Sequence, residues 1–247
     1  MLPNNFTYES PDSLDQALNR LMTKEDVILL AGGTDLIPLM KIGVKRPSCL
    51  LDLKKIRSLK SIEMRKEGLF IGSMATLDEI GRHPMINRFL PALGHSARSV
   101  ASPQIRNQAT IGGNLFQERR CFYYNQSEHW RKTLSPCFKS GGAVCHQVAG
   151  SKTCRALYYS DTAPVLLASD AQAEIFDQKG FGILPLREVI HRHVTDGSEK
   201  LLLTGVLIPI LPAGAWVEFF RYSLRAAIDF PTVNAAIRFS PAPERGQ

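Results

Sequence analysis

Four of the five cysteines in this 247-residue chain lie close together in the sequence, at Cys121, Cys137, Cys145 and Cys154. They belong to an insertion, residues 117–155, that is rich in Gly, Ser, Asn and Lys and has weak hydrophobic periodicity. A segment this long without regular structure in a compact domain is usually functional or disordered. We therefore expect these cysteines to have a chemical role, and any fold must accommodate them.

The spacing of these cysteines leaves more than one chemistry open. The gaps are 15, 7 and 8 residues, which lack the C-x-x-C pairs of structural zinc sites and the tight run of ferredoxins. Between residues 119 and 155 there are seven basic residues and one acid, Glu128, which suits an anionic centre held by thiolates. From the residues alone, a 4Fe-4S cluster, a zinc ion, and free thiols or a disulfide remain alternatives.

Two glycine turns provide a second constraint. Residues 32–34 (Gly-Gly-Thr) lie between a predicted strand at 27–31 and a predicted helix at 35–41, and residues 110–114 (Thr-Ile-Gly-Gly-Asn) precede the insertion. Glycine lets the backbone approach an anion, and amides at a helix start favour negative charge. Asp35 is compatible with a diphosphate only if backbone amides bind its carboxylate. Either turn alone is also compatible with a structural role; the pair predicts a dinucleotide clasped from both sides.

The hydrophobic pattern predicts an α+β fold in three parts. Residues 1–55 form a helix–strand–turn–helix–strand unit, residues 56–212 a larger α+β unit that carries the insertion, and residues 213–247 the first strands of a further subdomain. We expect one continuous helix over residues 86–100. His191 and His193 are predicted to lie in a polar turn without a function.

Charge and hydropathy narrow the functional class. The net charge is +7, but no run of five basic residues and no aromatic-rich basic motif points to nucleic acid, so a mildly basic surface or a docking face for acidic partners is preferred. No segment approaches the ~20 apolar residues of a membrane span, and no secretory signal is evident. These features predict a cytoplasmic protein with no membrane contact, where reduced cysteines favour metal binding over disulfides.

Three motifs resemble a known family. Residues 31–36 (Ala-Gly-Gly-Thr-Asp-Leu), residues 109–115 (Ala-Thr-Ile-Gly-Gly-Asn-Leu) and Ser160-Asp161-x-x-Pro164 resemble the FAD-binding elements of the flavoprotein subunits of molybdenum hydroxylases, the xanthine dehydrogenase and carbon monoxide dehydrogenase group. The resemblance implies a two-subdomain FAD-binding fold of the PCMH (vanillyl-alcohol oxidase-like) type. It places FAD against Leu29, Leu30, Ala31, Gly32, Gly33, Thr34, Asp35, Leu36, Val100, Ala101, Ile105, Thr110, Gly112, Gly113, Asn114, Asp161, Leu203 and Thr204.

The insertion resembles the loop of one branch of that family, the 4-hydroxybenzoyl-CoA reductase β subunit. The match covers residues 120–131 and the three later cysteines. It implies a 4Fe-4S cluster held by Cys121, Cys137, Cys145 and Cys154. It also implies a dimer of heterotrimers, in which a large molybdopterin subunit and a small 2Fe-2S subunit complete an enzyme that removes the phenolic hydroxyl of 4-hydroxybenzoyl-CoA during anaerobic aromatic degradation.

In that scheme ferredoxin donates the electrons, and this chain relays them without a catalytic residue of its own. Two alternatives remain: an FAD subunit of a related molybdenum hydroxylase acting on another aromatic or CoA-linked substrate, and a non-catalytic zinc-loop module binding nucleotide or nucleic acid. Members of the family continue beyond the point that corresponds to residue 247, so we expect a truncated C-terminal subdomain.

Overall fold

A computed structural model of the chain describes residues 5–195, 200–225 and 227–241. The strands in these residues are β1 (Thr7–Glu9), β2 (Val27–Leu30), β3 (Cys49–Asp52), β4 (Ile62–Arg65), β5 (Gly68–Gly72), β6 (Gln172–Asp177), β7 (Gly180–Pro185), β8 (Leu202–Pro209), β9 (Trp216–Tyr222) and β10 (Val233–Phe239). The helices are α1 (Leu14–Thr23), α2 (Leu36–Lys41), α3 (Leu77–Arg82), α4 (Pro84–Phe89), α5 (Pro91–Ser99), α6 (Pro103–Arg106), α7 (Ile111–Leu115), α8 (Glu128–Arg131), α9 (Thr162–Ala168) and α10 (Leu186–Thr195). Short 3-10 turns lie at Arg57–Lys60 and Phe138–Ser140.

The N-terminal part contains a three-stranded parallel sheet in the order β1-β3-β2. Helix α1 begins where the Ser13 hydroxyl accepts a hydrogen bond from the Gln16 amide, and it buries Ala17, Leu18 and Leu21. Strand β2 ends immediately before the first glycine turn. Ligands of parallel sheets bind beyond the carboxyl ends of the strands, so this topology puts the turn where a ligand is expected.

The larger part contains a five-stranded antiparallel sheet in the order β4-β5-β8-β6-β7. The main apolar core contains side chains of this sheet and of helices α3, α5, α9 and α10, with Ile71, Val206, Leu93 and Leu166 fully buried. The second glycine turn joins this part through a β-bridge between Thr76 and Thr110. The sheet therefore fixes the position of the second turn.

Strands β9 and β10 form a separate two-stranded antiparallel sheet. Its inner face buries Val217 and Phe219, and Phe219 packs against His95 of α5. On the outer face Trp216 stacks on Phe239 with ring centroids 4.9 Å apart, and both rings stay substantially exposed. These strands belong to the predicted third part; the division of the chain into three parts stays a prediction.

Three expectations from the sequence were wrong. The glycine turn predicted at residues 110–114 is the N-cap Thr110 followed by helix α7 (Ile111–Leu115), and the name second glycine turn is kept here for these residues. The continuous helix predicted over residues 86–100 is two helices, because Pro91 occupies the first turn of α5 and its ring cannot continue α4. The polar turn predicted around His191 and His193 is part of α10, whose buried face is Leu186, Val189 and Ile190. Among the described residues, no helix combines the length and the apolar character needed to cross a membrane.

Candidate functional site

A cavity of about 850 Å³, here the dinucleotide cavity, contains both glycine turns in its wall. Of the residues predicted to contact FAD, its lining includes Leu29, Ala31, Gly32, Gly33, Thr34, Asp35, Leu36, Thr110, Gly112, Gly113 and Leu203. The structure places outside that lining Leu30, Val100, Ala101, Ile105, Asn114, Asp161 and Thr204. The roles of all these residues toward FAD stay predictions, but the two turns, far apart in sequence, do meet at one cavity.

The first turn presents unpaired backbone donors. A Cβ on Gly32 would lie 1.9 Å from the Gln108 carbonyl oxygen, so this position requires glycine for close packing. Gly33 has φ +77°, a conformation that favours glycine. Within the described ranges, the amides of Gly33 and Thr34 have no hydrogen-bond acceptor. They lie at the cavity wall, where an anionic ligand can accept from them.

The second turn differs because the protein itself accepts from its amides. The amide of Ile111 donates to Ala75 O and that of Gly112 to Ser73 O, each at 2.9 Å. Gly113 N donates to the Thr110 hydroxyl at 3.1 Å, which caps α7. The second turn therefore shapes the cavity without offering these donors to a ligand.

Asn114 and Asp161 organise the wall behind the second turn. Asn114 Oδ1 accepts hydrogen bonds from the hydroxyls of Ser160 and Thr162, each at 2.7 Å. Asp161 binds Arg221 at 3.3 Å and Asn234 at 2.9 Å. Burial raises the pKa of Asp161, although both partners oppose the rise. Its carboxylate is thus already engaged within the protein.

The carboxylate of Asp35 is bound by one backbone amide and one guanidinium, where the sequence predicted backbone amides. The Glu118 amide donates to Asp35 Oδ2 at 3.1 Å, and the Arg120 guanidinium pairs with Asp35 Oδ1. A carboxylate neutralised in this way does not repel a neighbouring diphosphate. The partners come from the start of the insertion, so the first turn and the insertion are directly joined.

Several cavity residues were not identified from the sequence. His193 of α10 has its ring 4.9 Å from that of Phe116 and its Nε2 3.2 Å from Gln117 O, and burial lowers its pKa and favours the neutral imidazole. Ser73 also lines the cavity, and its buried hydroxyl has no partner among the described residues. The volume, the free amides of the first turn and this orphaned hydroxyl all fit a dinucleotide cofactor.

A second, small cavity, here the cysteine cavity, is lined by all four clustered cysteines. Each of these thiols is free and half-buried. The Cys154 sulfur accepts from the Ala156 amide at 3.5 Å, and backbone donors led by Val148, together with the charge of Arg155, lower the pKa of Cys145. Convergent thiols with amide donors suit a thiolate-bound centre.

The small size of the cysteine cavity bears on whether it holds a metal centre. The cavity has a volume of about 20 Å³, so its size does not itself argue for a cubane. Within the described residues, no group of three or more His, Cys, Asp or Glu side chains has the arrangement to hold a metal ion. The irons of a cubane are separate atoms, so its thiolates stand farther apart than the ligands of one ion. The 4Fe-4S cluster stays a prediction.

Comparison with known proteins gives the family. The sequence profile of the FAD binding domain in molybdopterin dehydrogenase matches residues 4–211. The FAD-binding subunit PaoB of aldehyde oxidoreductase from Escherichia coli (strain K12) is 31% identical and aligns over 96% of this chain and 78% of its own length. The carbon monoxide dehydrogenase medium chain of Hydrogenophaga pseudoflava is 35% identical over 47% of this chain, which is 40% of that protein.

Solved structures agree with the profile. The carbon monoxide dehydrogenase from Oligotropha carboxidovorans superposes with a TM-score of 0.74 at 25% identity, over 98% of this chain and 72% of the matched chain. The enzyme from Hydrogenophaga pseudoflava, at 22% identity and a TM-score of 0.75, shares the fold. This chain therefore belongs to the family of FAD-binding domains of molybdopterin dehydrogenases, an oxidoreductase family with a mixed α/β fold.

Proposed function

We propose that this chain is the electron-transfer subunit of a molybdenum-containing oxidoreductase, with FAD in the dinucleotide cavity and a 4Fe-4S cluster in the insertion. The observation that carries the proposal is the contact between the two cavities: Phe138, Lys139 and Cys154 line both. An organic and an inorganic redox centre in these positions would share these three residues as a common wall. Such proximity suits a relay of electrons.

The residues of the chain bind and orient the cofactors, and FAD supplies the redox chemistry when bound. The free amides of Gly33 and Thr34 are assigned to the diphosphate, and the Ser73 hydroxyl to a polar group of the same ligand. Tyr124 and Phe138 of the insertion give the cavity an aromatic wall. Cys121, Cys137, Cys145 and Cys154 are assigned as cluster ligands, with Lys139 and Arg155 beside them offsetting negative charge.

For the whole assembly we propose a complex of the 4-hydroxybenzoyl-CoA reductase type. Partner subunits would carry molybdopterin and 2Fe-2S clusters, ferredoxin would donate electrons, and the product would be benzoyl-CoA. The support is the spacing of the four cysteines within residues 117–155, together with their convergence on one cavity. A vanillyl-alcohol oxidase-like type is proposed for the FAD-binding fold, and the cytoplasm for its location.

A second candidate is the FAD subunit of a related molybdenum hydroxylase that oxidises its substrate. The observation in its favour is the similarity to PaoB, a subunit of an aldehyde oxidoreductase, over 96% of this chain and 78% of that protein. The two candidates share the same chemistry on this chain and differ in the substrate bound by a partner. Activity of the purified complex toward 4-hydroxybenzoyl-CoA with reduced ferredoxin, compared with activity toward aldehydes, separates them.

The test common to both candidates is spectroscopic. The chain is purified with its partners under anaerobic conditions, and its absorption spectrum is recorded together with its FAD, iron and zinc contents. Flavin bands above a broad iron–sulfur shoulder are expected. A complex with FAD but with zinc in place of the extra iron would contradict the cluster, and a complex without FAD would contradict the proposed function altogether.

A further inference from the structure

The insertion is attached to the N-terminal part by an ion triad centred on Glu118. Lys45 follows α2 and places its Nζ 2.8 Å from Glu118 Oε2. Lys139 lies between Cys137 and Cys145 in the chain, and its ammonium group pairs with Glu118 Oε1. The same ammonium group donates to Arg119 O at 2.8 Å. One carboxylate thus joins α2 to the middle of the cysteine-bearing segment.

Two members of the triad are largely shielded from water, and Lys45 is its more exposed end. The side chain of Lys139 is 12% exposed and that of Glu118 22%. Burial by itself would raise the pKa of Glu118, but Lys45 and Lys139 overcome this effect and lower it to about 2. The carboxylate of Glu118 is therefore charged at neutral pH. Removing one partner of such a shielded pair leaves an uncompensated charge, which is strongly unfavourable.

The triad lies in the walls of both cavities. Lys45, Glu118 and Lys139 all line the dinucleotide cavity, and Lys139 also lines the cysteine cavity. The Lys139 ammonium lies 4.9 Å from the centre of the Tyr124 ring, which forms part of the aromatic wall. Fixing Lys139 therefore fixes Tyr124 and the neighbouring Phe138 against the space where the dinucleotide binds.

A second link runs through the same short segment of chain. The backbone amide of Glu118 donates to Asp35 at the first glycine turn, and Arg120 pairs with the same carboxylate. Arg120 also exchanges two backbone hydrogen bonds with Leu157, each 2.8 Å long, which closes the base of the insertion. Any displacement of Glu118 is transmitted to the turn with the free amides and to the insertion.

We propose that Glu118 is a positioning residue that couples FAD binding to the order of the insertion. Bound FAD holds the aromatic wall and thereby the cysteine-bearing segment, and an ordered segment in turn strengthens FAD binding. Coupling of this kind is reciprocal by thermodynamic necessity. The inference rests on the proposed function for the site of FAD, but it holds whichever centre the four thiols carry.

Glu128 provides a matched control for Glu118. It lies in the same insertion and pairs with Arg46, another cation from the N-terminal part, but the pair is solvent-exposed and outside both cavities. Glu118→Gln and Glu128→Gln each remove one negative charge and one contact between the insertion and the N-terminal part. Only the first removes a contact at the wall of the dinucleotide cavity.

The experiment measures FAD affinity and amide exchange on the complex as purified. FAD is removed and titrated back by flavin fluorescence, and hydrogen–deuterium exchange of residues 121–157 is recorded with and without it. For Glu118→Gln we expect the Kd for FAD to rise about tenfold, within the usual range of coupling between sites. Exchange in the insertion should become faster and less responsive to FAD. Glu128→Gln should leave the Kd within about twofold of wild type, as exposed pairs contribute little.

A purely structural role for Glu118 gives another result. In that case Glu118→Gln lowers the melting temperature but leaves the Kd for FAD and the protection by FAD unchanged, which overturns the coupling. Should Glu118→Gln fail to fold, Lys45→Gln tests the same triad from its more exposed end and is expected to raise the Kd about fivefold, the lower end of such coupling. A wild-type complex that binds no FAD would overturn the proposed function as well, whereas normal FAD binding by all variants overturns the coupling alone.

Discussion

The two glycine turns resemble each other in sequence and differ in what their backbones do. At residues 32–34 the amides of Gly33 and Thr34 have no acceptor among the described residues, whereas at residues 110–114 the amides of Ile111, Gly112 and Gly113 all donate within the protein. The first turn is therefore equipped to bind an anion. The second positions a wall, and its glycines serve close packing.

The difference arises from the segments that lie next to each turn. The first turn follows a parallel strand and leads into α2, and in the described residues no carbonyl group accepts from the amides of Gly33 and Thr34. The second turn is crossed by residues 73–75 of the larger part, whose carbonyl groups accept its amides. Two similar motifs thus have different roles at one site: the first offers free amides to a ligand, and the second forms part of the wall. The pattern of residues alone does not show which motif has which role.

The largest difference in stability between the two turns is expected from alanine substitutions of their glycines. Gly32→Ala places Cβ 1.9 Å from a backbone oxygen, Gly112→Ala 2.8 Å from another, and Gly113→Ala 3.3 Å from the Thr110 side chain. Because backbone yields less than a side chain, we expect losses of stability of about 3, about 2 and under about 1 kcal/mol respectively. Thermal unfolding of the three variants measures this order, and an equal response would show that the two turns are packed alike.

A smaller effect is expected from lowering the pH, which protonates Glu118. Glu118 holds the first turn in place through its contact with Asp35. The pKa of Glu118 is about 2 in the folded chain and near 4.5 in the unfolded chain, so its contribution to stability is fully present above about pH 4.5 and is lost as the pH falls toward 2. FAD release over this range should be weaker in Glu118→Gln than in wild type. Identical acid profiles, measured by flavin fluorescence, would show that Glu118 does not support the turn.

The smallest effect is expected from the two threonines. Thr110→Ala removes the cap on α7 and should cost about 1 kcal/mol of stability with little change in FAD affinity. Thr34 lines the dinucleotide cavity, and its hydroxyl makes no hydrogen bond with the described residues. Thr34→Ala should therefore leave stability unchanged and weaken FAD binding about fivefold, the value of one hydrogen bond. Weaker FAD binding in Thr110→Ala together with a loss of stability in Thr34→Ala would show that the two turns have the opposite roles.

Part of the site was predictable from the sequence. The glycine turns and the four cysteines were identified from residue type and spacing, and the condition on Asp35 followed from charge alone. The unpaired amides were not predictable, because they depend on which segment crosses each turn. His193 was missed because the polar run His191-Arg192-His193 interrupts the apolar pattern of α10 in the sequence. Tyr124 and Ser73 were missed because only tertiary packing brings them to the cavity.

The most direct test of the central claim is the iron content of Cys145→Ser relative to wild type, measured with FAD content on the anaerobically purified complex. Cys49 lies buried in β3, outside both cavities, so Cys49→Ala is the matched control. We predict that Cys145→Ser keeps its FAD and loses the iron of one cluster, while Cys49→Ala keeps both. Unchanged iron in Cys145→Ser would contradict the claim that the cysteine cavity holds a redox centre beside the flavin.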